Sequence, residues 1–153
     1  IEYALVSTHG KTHESLLRTD AEPLHLQLAL LLLGATNSPS SSAGTSSGSA
    51  VSIEIAWKRG WWWKRRHLEE LVRSRRDKRA LSRAPWIYTG SRTIDGTFAA
   101  QSSGSIISLI GDPEALINRA GADPADDENW LPFARRIPRV NTQVQVSIHL
   151  HTR

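Results

Sequence analysis

Between Val51 and Trp57 every second residue is bulky and apolar. Val51, Ile53, Ile55 and Trp57 alternate with Ser52, Glu54 and Ala56. A period of two places the first set on one face of a strand and the second on the other. A chain with such a strand must build a sheet and cover one of its faces. The same alternation runs through Val140, Thr142, Val144, Val146, Ile148 and Leu150, and more loosely through Ile1–Ser7.

Other segments fit around these strands. Thr8–Lys11 reads as a turn and Thr12–Leu17 as a second strand. Lys58, Arg59 and Gly60 turn the Val51–Trp57 strand back into Trp61–His67. Pro85–Thr89 and Gly96–Ala100 read as strands around a turn at Asp95-Gly96, and Ser105–Ile110 as an apolar strand or helix start. A helix is expected from Asp20, its N-cap, through Pro23 to about Leu33, ending at Gly34. Apolar side chains surround that helix on most sides, which predicts a buried core helix. Shorter helices are expected over Leu68–Arg79 and from Asp112, the cap, to about Arg119. Together these predict an α+β domain: a largely antiparallel sheet with two or three short helices.

Composition narrows the chemistry. The 153 residues suit a single domain, and 39% apolar with 22% charged residues is ordinary globular composition. There is no cysteine, which excludes disulfides, thiolate zinc sites, cysteine nucleophiles and iron–sulfur clusters. There is no methionine either, so Ile1 is read as lying downstream of the translation start. The longest apolar run, Leu24–Leu33, is about half of what a spanning helix needs. The region 37–50 is nearly all Ser, Gly, Thr, Ala and Pro and reads as a flexible loop insertion. A net charge of +4 permits nucleic acid, anionic lipid or an acidic protein as partner without choosing among them.

Several segments occur in the order found in the YdjY-like domain family. They are GKTHESLL (10–17), LALLLLGA (28–35), PWIYTGS (85–91), DGTFAA (95–100), GSIISLIGDPEALIN (104–118) and the Asp-rich stretch ending at Trp130. The chain resembles that family over nearly its whole length. The resemblance implies a single YdjY-like domain over 1–153 with a further strand upstream of Ile1. It also implies an exported bacterial envelope protein, periplasmic or extracellular. It carries no established activity. Some members bear a ferredoxin label, which a chain without cysteine cannot support. The Ser/Gly insertion and Trp61-Trp62-Trp63 depart from the family pattern.

Candidate chemistry is sparse. His9, His13 and Glu14 offer imidazole and carboxylate ligands for a metal. They are not half of His-Glu-x-x-His, because position 17 is Leu17, and Gly10 opposes a helix that would align His9 with His13. The competing reading has His13 and Glu14 ordering a turn. Ser15 lacks a G-x-S-x-G elbow. His149 and His151 share one strand face and offer two metal ligands to be joined by a third, with a solvated pair as the competing reading. Asp123, Asp126, Asp127 and Glu128 lack EF-hand spacing. The glycines form no phosphate loop.

The segment 58–83 holds eleven basic and three acidic residues and includes Trp61, Trp62 and Trp63. Cations neutralise phosphates, and indoles stack on bases or settle at headgroups. The competing reading packs alternate tryptophans in the core above a solvated basic face. Three consecutive strand residues cannot all face one way, so at least one indole is exposed or covered by a partner.

These readings lead to three expectations. The first is a non-enzymatic envelope domain that binds a protein or serves as a subunit of an assembly, using Trp61, Trp62, Trp63, Lys64, Arg65 and Arg66. The second is a metal-binding protein or metal-dependent enzyme using His13, Glu14 and His9. The third is nucleic-acid or anionic-surface binding by the basic segment. No cofactor is expected.

Overall fold

The computed structural model describes residues 1–37 and 48–151. The strands are β1 (Tyr3–Ser7), β2 (Ser15–Thr19), β3 (Ser49–Arg59), β4 (Trp62–His67), β5 (Val72–Ser74), β6 (Trp86–Tyr88), β7 (Thr93–Ile94), β8 (Thr97–Phe98), β9 (Ser105–Ser108), β10 (Ile117–Arg119), β11 (Trp130–Pro132) and β12 (Gln145–Leu150). The helices are α1 (Pro23–Leu32) and α2 (Ala99–Ser103), with single 3₁₀ turns at Thr12–Glu14, Leu68–Leu71 and Pro124–Asp126.

The protein is mostly β. Eight strands form one mixed sheet in the order β12-β3-β6-β10-β9-β1-β2, with β4 also on β3. β1 runs parallel to β2, and β9 parallel to β10; the remaining pairs of this sheet are antiparallel. β5 with β11, and β7 with β8, make two small ribbons. Both edges of β1 are taken by strands of this chain, and every residue of β1 is buried.

β3 organises the molecule. β12 pairs along one edge from Val51 to Ala56. On the other edge β6 pairs with Ser49–Val51 and β4 with Glu54–Arg59. The core-facing set read from the alternation, Val51, Ile53, Ile55 and Trp57, is buried as expected. Around it lie Leu68, Leu71, Trp86, Tyr88, Ile106, Ile107, Leu116 and Ile117. The buried Trp86 indole donates to Glu69 Oε2 at 3.2 Å, which satisfies both polar groups.

A close backbone approach joins the Gly10 turn to the end of α2. Gly104 has φ 75°, and a Cβ there would stand 2.4 Å from Ser7 Oγ and 2.8 Å from Gly10 Cα. Only glycine fits both the left-handed backbone and the space.

Several expectations are corrected. The α1 segment is helical, and Gly34 follows it with φ 94° as a C′ residue should. It is not a buried helix, however: within it only Pro23 and Leu30 are buried, and Leu24, Leu28, Leu31 and Leu32 are exposed. The rest of the core covers one narrow side of α1, while its apolar residues go all round. Asp20 is not its cap. The free N–H of Leu24 donates instead to Gln101 Oε1 of α2 at 3.1 Å.

Leu68–Arg79 forms one 3₁₀ turn and then β5, because Val72, Arg73 and Ser74 pair with β11. Asp112 does accept from Glu114 N–H at 2.8 Å. The chain then turns, and Ile117 pairs with Ile107 and Tyr88, so a strand replaces the expected helix. In both places the helix signal, apolar spacing at Leu68, Leu71 and Val72 and the cap at Asp112, is met by a tight turn that feeds a strand. The strand expected over Gly96–Ala100 is a strand at Thr97–Phe98 only, and Ala99 and Ala100 open α2 instead. The last strand is shorter than its alternation, with Val140 exposed. Of the Ser/Gly-rich stretch, residues 38–47 lie outside the described residues; Asn37 bridges Gly48, and β3 begins at Ser49.

Candidate functional site

The β3–β4 hairpin places the nominated aromatic and basic residues. Gly60, at φ 63°, opens the two-residue turn Gly60-Trp61 that two-residue hairpins favour. The last β12 rung on β3 is Gln145↔Ala56. Three hairpin rungs lie beyond it: Trp57↔Lys64, Lys58↔Trp63 and Arg59↔Trp62. At the usual rise, the ribbon extends roughly 10 Å past its neighbour.

That extension decides the exposure of the tryptophans. Trp61 is 98% exposed, Trp62 81% and Trp63 51%. The expectation that alternate tryptophans pack in the core is overturned, because among the described residues no further strand pairs with the ribbon alongside them. Trp62 shares a ribbon face with Arg59 and Lys64; Trp63 shares the opposite face with Lys58 and Arg65. Lys58 Nζ sits 5.8 Å from the Trp63 ring centroid, within cation–π range.

The basic segment is not one continuous face. Arg65 pairs with Glu54 at 2.9 Å, Arg66 with Glu70 at 3.2 Å and Arg76 with Asp126 at 3.1 Å. Burial pushes the Glu70 carboxyl up, but the His67 N–H and the Arg66 guanidinium outweigh it and hold Glu70 below its ordinary 4.5. Among the described residues Lys58, Arg59 and Lys64 meet no carboxylate. The tip therefore carries three indoles and three uncompensated cations.

The residues nominated for metal are arranged differently. His9 Nε2 donates to the Gln101 carbonyl at 2.9 Å, which leaves Nδ1 to accept from Ser7 Oγ at 3.1 Å. His13 is exposed and lies 3.6 Å from Glu14 Oε1. His13 and Glu14 thus meet, while His9 is held by other partners. Among the described residues no group of three or more His, Asp or Glu is placed to hold a metal. Ser15 Oγ donates to the Leu17 carbonyl at 2.7 Å. In the acidic loop Asp123 caps Ala125 N–H, Asp126 pairs with Arg76 and Asp127 accepts from Glu128 N–H.

A polar cluster that sequence reasoning missed surrounds Lys11. Its Nζ lies 3.2 Å from Glu2 Oε2 and 3.5 Å from Glu14 Oε2. Burial raises the Glu2 carboxyl, and the neighbouring Glu14 carboxyl raises it further; that same pairing, with Lys11, holds Glu14 below 4.5. Beside it, Tyr3 OH donates to Asp112 Oδ2 at 2.7 Å, and burial with that bond pushes the phenol well up. A shallow hollow of about 380 Å³ runs past Glu2, Lys11 and Asp112. Glu2 and Glu14 are twelve residues apart, and only the parallel β1–β2 pairing makes them neighbours.

A family model described as the YdjY domain matches residues 2–149. Comparison with curated proteins and with solved structures found no match. No described helix is long and apolar enough to cross a membrane.

Proposed function

This chain belongs to the YdjY domain family, and on that premise we propose that it is a non-enzymatic domain of the bacterial envelope, periplasmic or extracellular. It docks into a larger assembly through the tip of the β3–β4 hairpin. One observation carries the reading: Trp61, Trp62 and Trp63 stand exposed together on a ribbon that projects past the sheet. Large apolar side chains gathered in water mark interaction sites. The non-enzymatic part is supported by the use of His9, Ser15 and Asp126 in local structural bonds. The envelope setting is supported by the resemblance to exported members of the family.

The test compares the native protein with the Trp61→Ala, Trp62→Ala, Trp63→Ala variant, each produced in its own source and sedimented without detergent. The native protein should travel with larger material. The variant should stay at the position of a free chain, with an unchanged melting temperature. Identical sedimentation of the two would sink the proposal.

A further inference from the structure

We infer that the hairpin tip docks on an anionic lipid surface. This rests on the tip-docking reading above and names the partner's chemistry.

The distribution of the indoles is the first argument. Trp62 and Trp63 point to opposite faces of the ribbon, and Trp61 sits in the turn between them. A flat protein surface covers one face of such a ribbon and leaves the others wet. A fluid interfacial layer surrounds all three, and the headgroup region is where tryptophan rings, part apolar and part polar, concentrate.

Depth is the second. Beyond the buried Trp57 the ribbon runs two further rungs, roughly 7 Å, and interfacial amphipathic helices bury their apolar face to a similar depth of roughly 5–10 Å at the headgroup boundary. Trp57, at the base, is already packed in the core, so insertion stops where the sheet begins.

Charge is the third. Lys58, Arg59 and Lys64 collar the indoles on both faces and meet no carboxylate among the described residues. Cations beside an inserted aromatic tip complement lipid phosphates and an anionic surface potential. Nucleic acid fits less well. A single strand needs a basic track with aligned stacking platforms. Here Arg65, Arg66 and Arg76 are tied to Glu54, Glu70 and Asp126, and the indoles do not line one groove.

The test uses vesicles of phosphatidylcholine mixed equally with phosphatidylglycerol, and vesicles of phosphatidylcholine alone. Trp57, Trp86 and Trp130 are buried, so a change in tryptophan emission on binding reports the tip. The mixed vesicles should shift emission to the blue, brominated lipid should quench it, and salt should weaken binding. The triple tryptophan-to-alanine variant should not bind. Each cation near an anionic surface contributes about a fivefold factor. Lys58→Gln, Arg59→Gln and Lys64→Gln together should therefore weaken binding to the mixed vesicles about a hundredfold.

Absence of binding to mixed vesicles at low salt overturns the inference, as does equal binding by the alanine variant. Quenching of the tip by a single-stranded oligonucleotide but not by vesicles overturns it in favour of nucleic acid. If sedimentation in the source still depends on the tip while vesicles are ignored, only the lipid assignment falls. If neither depends on the tip, both readings fall.

Discussion

Trp57 and Trp61 belong to one hairpin and share one side chain, yet Trp57 is 4% exposed and Trp61 98%. The base of the hairpin has neighbours: the β12 edge ends at Ala56, and Leu68, Leu71 and Trp86 join Trp57 in the core. Among the described residues, the two strands of the tip pair only with each other. Residue type therefore does not decide burial here; what stands on the far side of the ribbon does. The base holds the fold, and the tip is available for contact.

The comparison is tested first by its largest contrast. Trp86→Ala and Trp57→Ala should each destabilise the protein by about 3–5 kcal/mol in urea unfolding. Trp86→Ala also leaves the buried Glu69 carboxylate without its indole donor. A loss below about 1 kcal/mol at both sites would break the distinction between base and tip.

The same contrast recurs within α1. Leu30 is buried and Leu32 is 88% exposed. Leu30→Ala should cost about 2–5 kcal/mol, and Leu32→Ala should stay within about 0.5 kcal/mol. Equal losses would mean that α1 is covered on both sides in solution.

Gly104→Ala should cost about 1–3 kcal/mol, through crowding against Gly10 Cα and a left-handed backbone. Thermal unfolding reads it directly, and a neutral result would show that the Gly10 turn gives way.

A smaller effect at the base depends on pH. Glu70 is held below its ordinary 4.5 by the His67 N–H and Arg66, against the opposing push of burial. Its folded pKa lies under the unfolded one, so its contribution is present above pH 4.5 and is lost as pH falls through the folded value. Glu70→Gln should therefore flatten the acid side of the stability curve. An unchanged acid limb would remove Glu70 from the hairpin's support. The smallest effect belongs to the tip: Trp61→Ala, Trp62→Ala and Trp63→Ala should each move stability by no more than about 0.5 kcal/mol.

Much of the fold was legible where periodicity was long and unambiguous. Seven alternating residues identified β3 and its core face, and the Asp95-Gly96 turn between β7 and β8 was readable from its dipeptide, with φ 49° and 77°. Short apolar clusters were not legible. Leu68, Leu71 and Val72 satisfy helical spacing, and Asp112 with Pro113 gives a helix start before Leu116 and Ile117. Pairing with β11 in one case, and with β6 and β9 in the other, drew the chain into strands. The candidate site was legible as a cluster of residue types, since Trp61–Trp63 and Lys64 were nominated directly. Arg65 and Arg66, nominated with them, pair with Glu54 and Glu70, while Lys58 and Arg59 read as turn residues. The joint exposure of the tryptophans was not legible, nor was the contact of Glu2 with Lys11 and Glu14.

From sequence alone it follows that the chain has no thiolate chemistry, that a half-buried strand runs through Val51–Trp57 and that consecutive tryptophans follow a turn at Gly60. These depend on composition and local period, which no tertiary contact can alter. The tertiary structure alone decided that α1 shows most of its leucines to water, that β1 and β2 run parallel and that the hairpin outreaches the sheet. Burial and pairing are relations between distant segments, and a local pattern states what a residue prefers without stating which neighbour arrives to meet it.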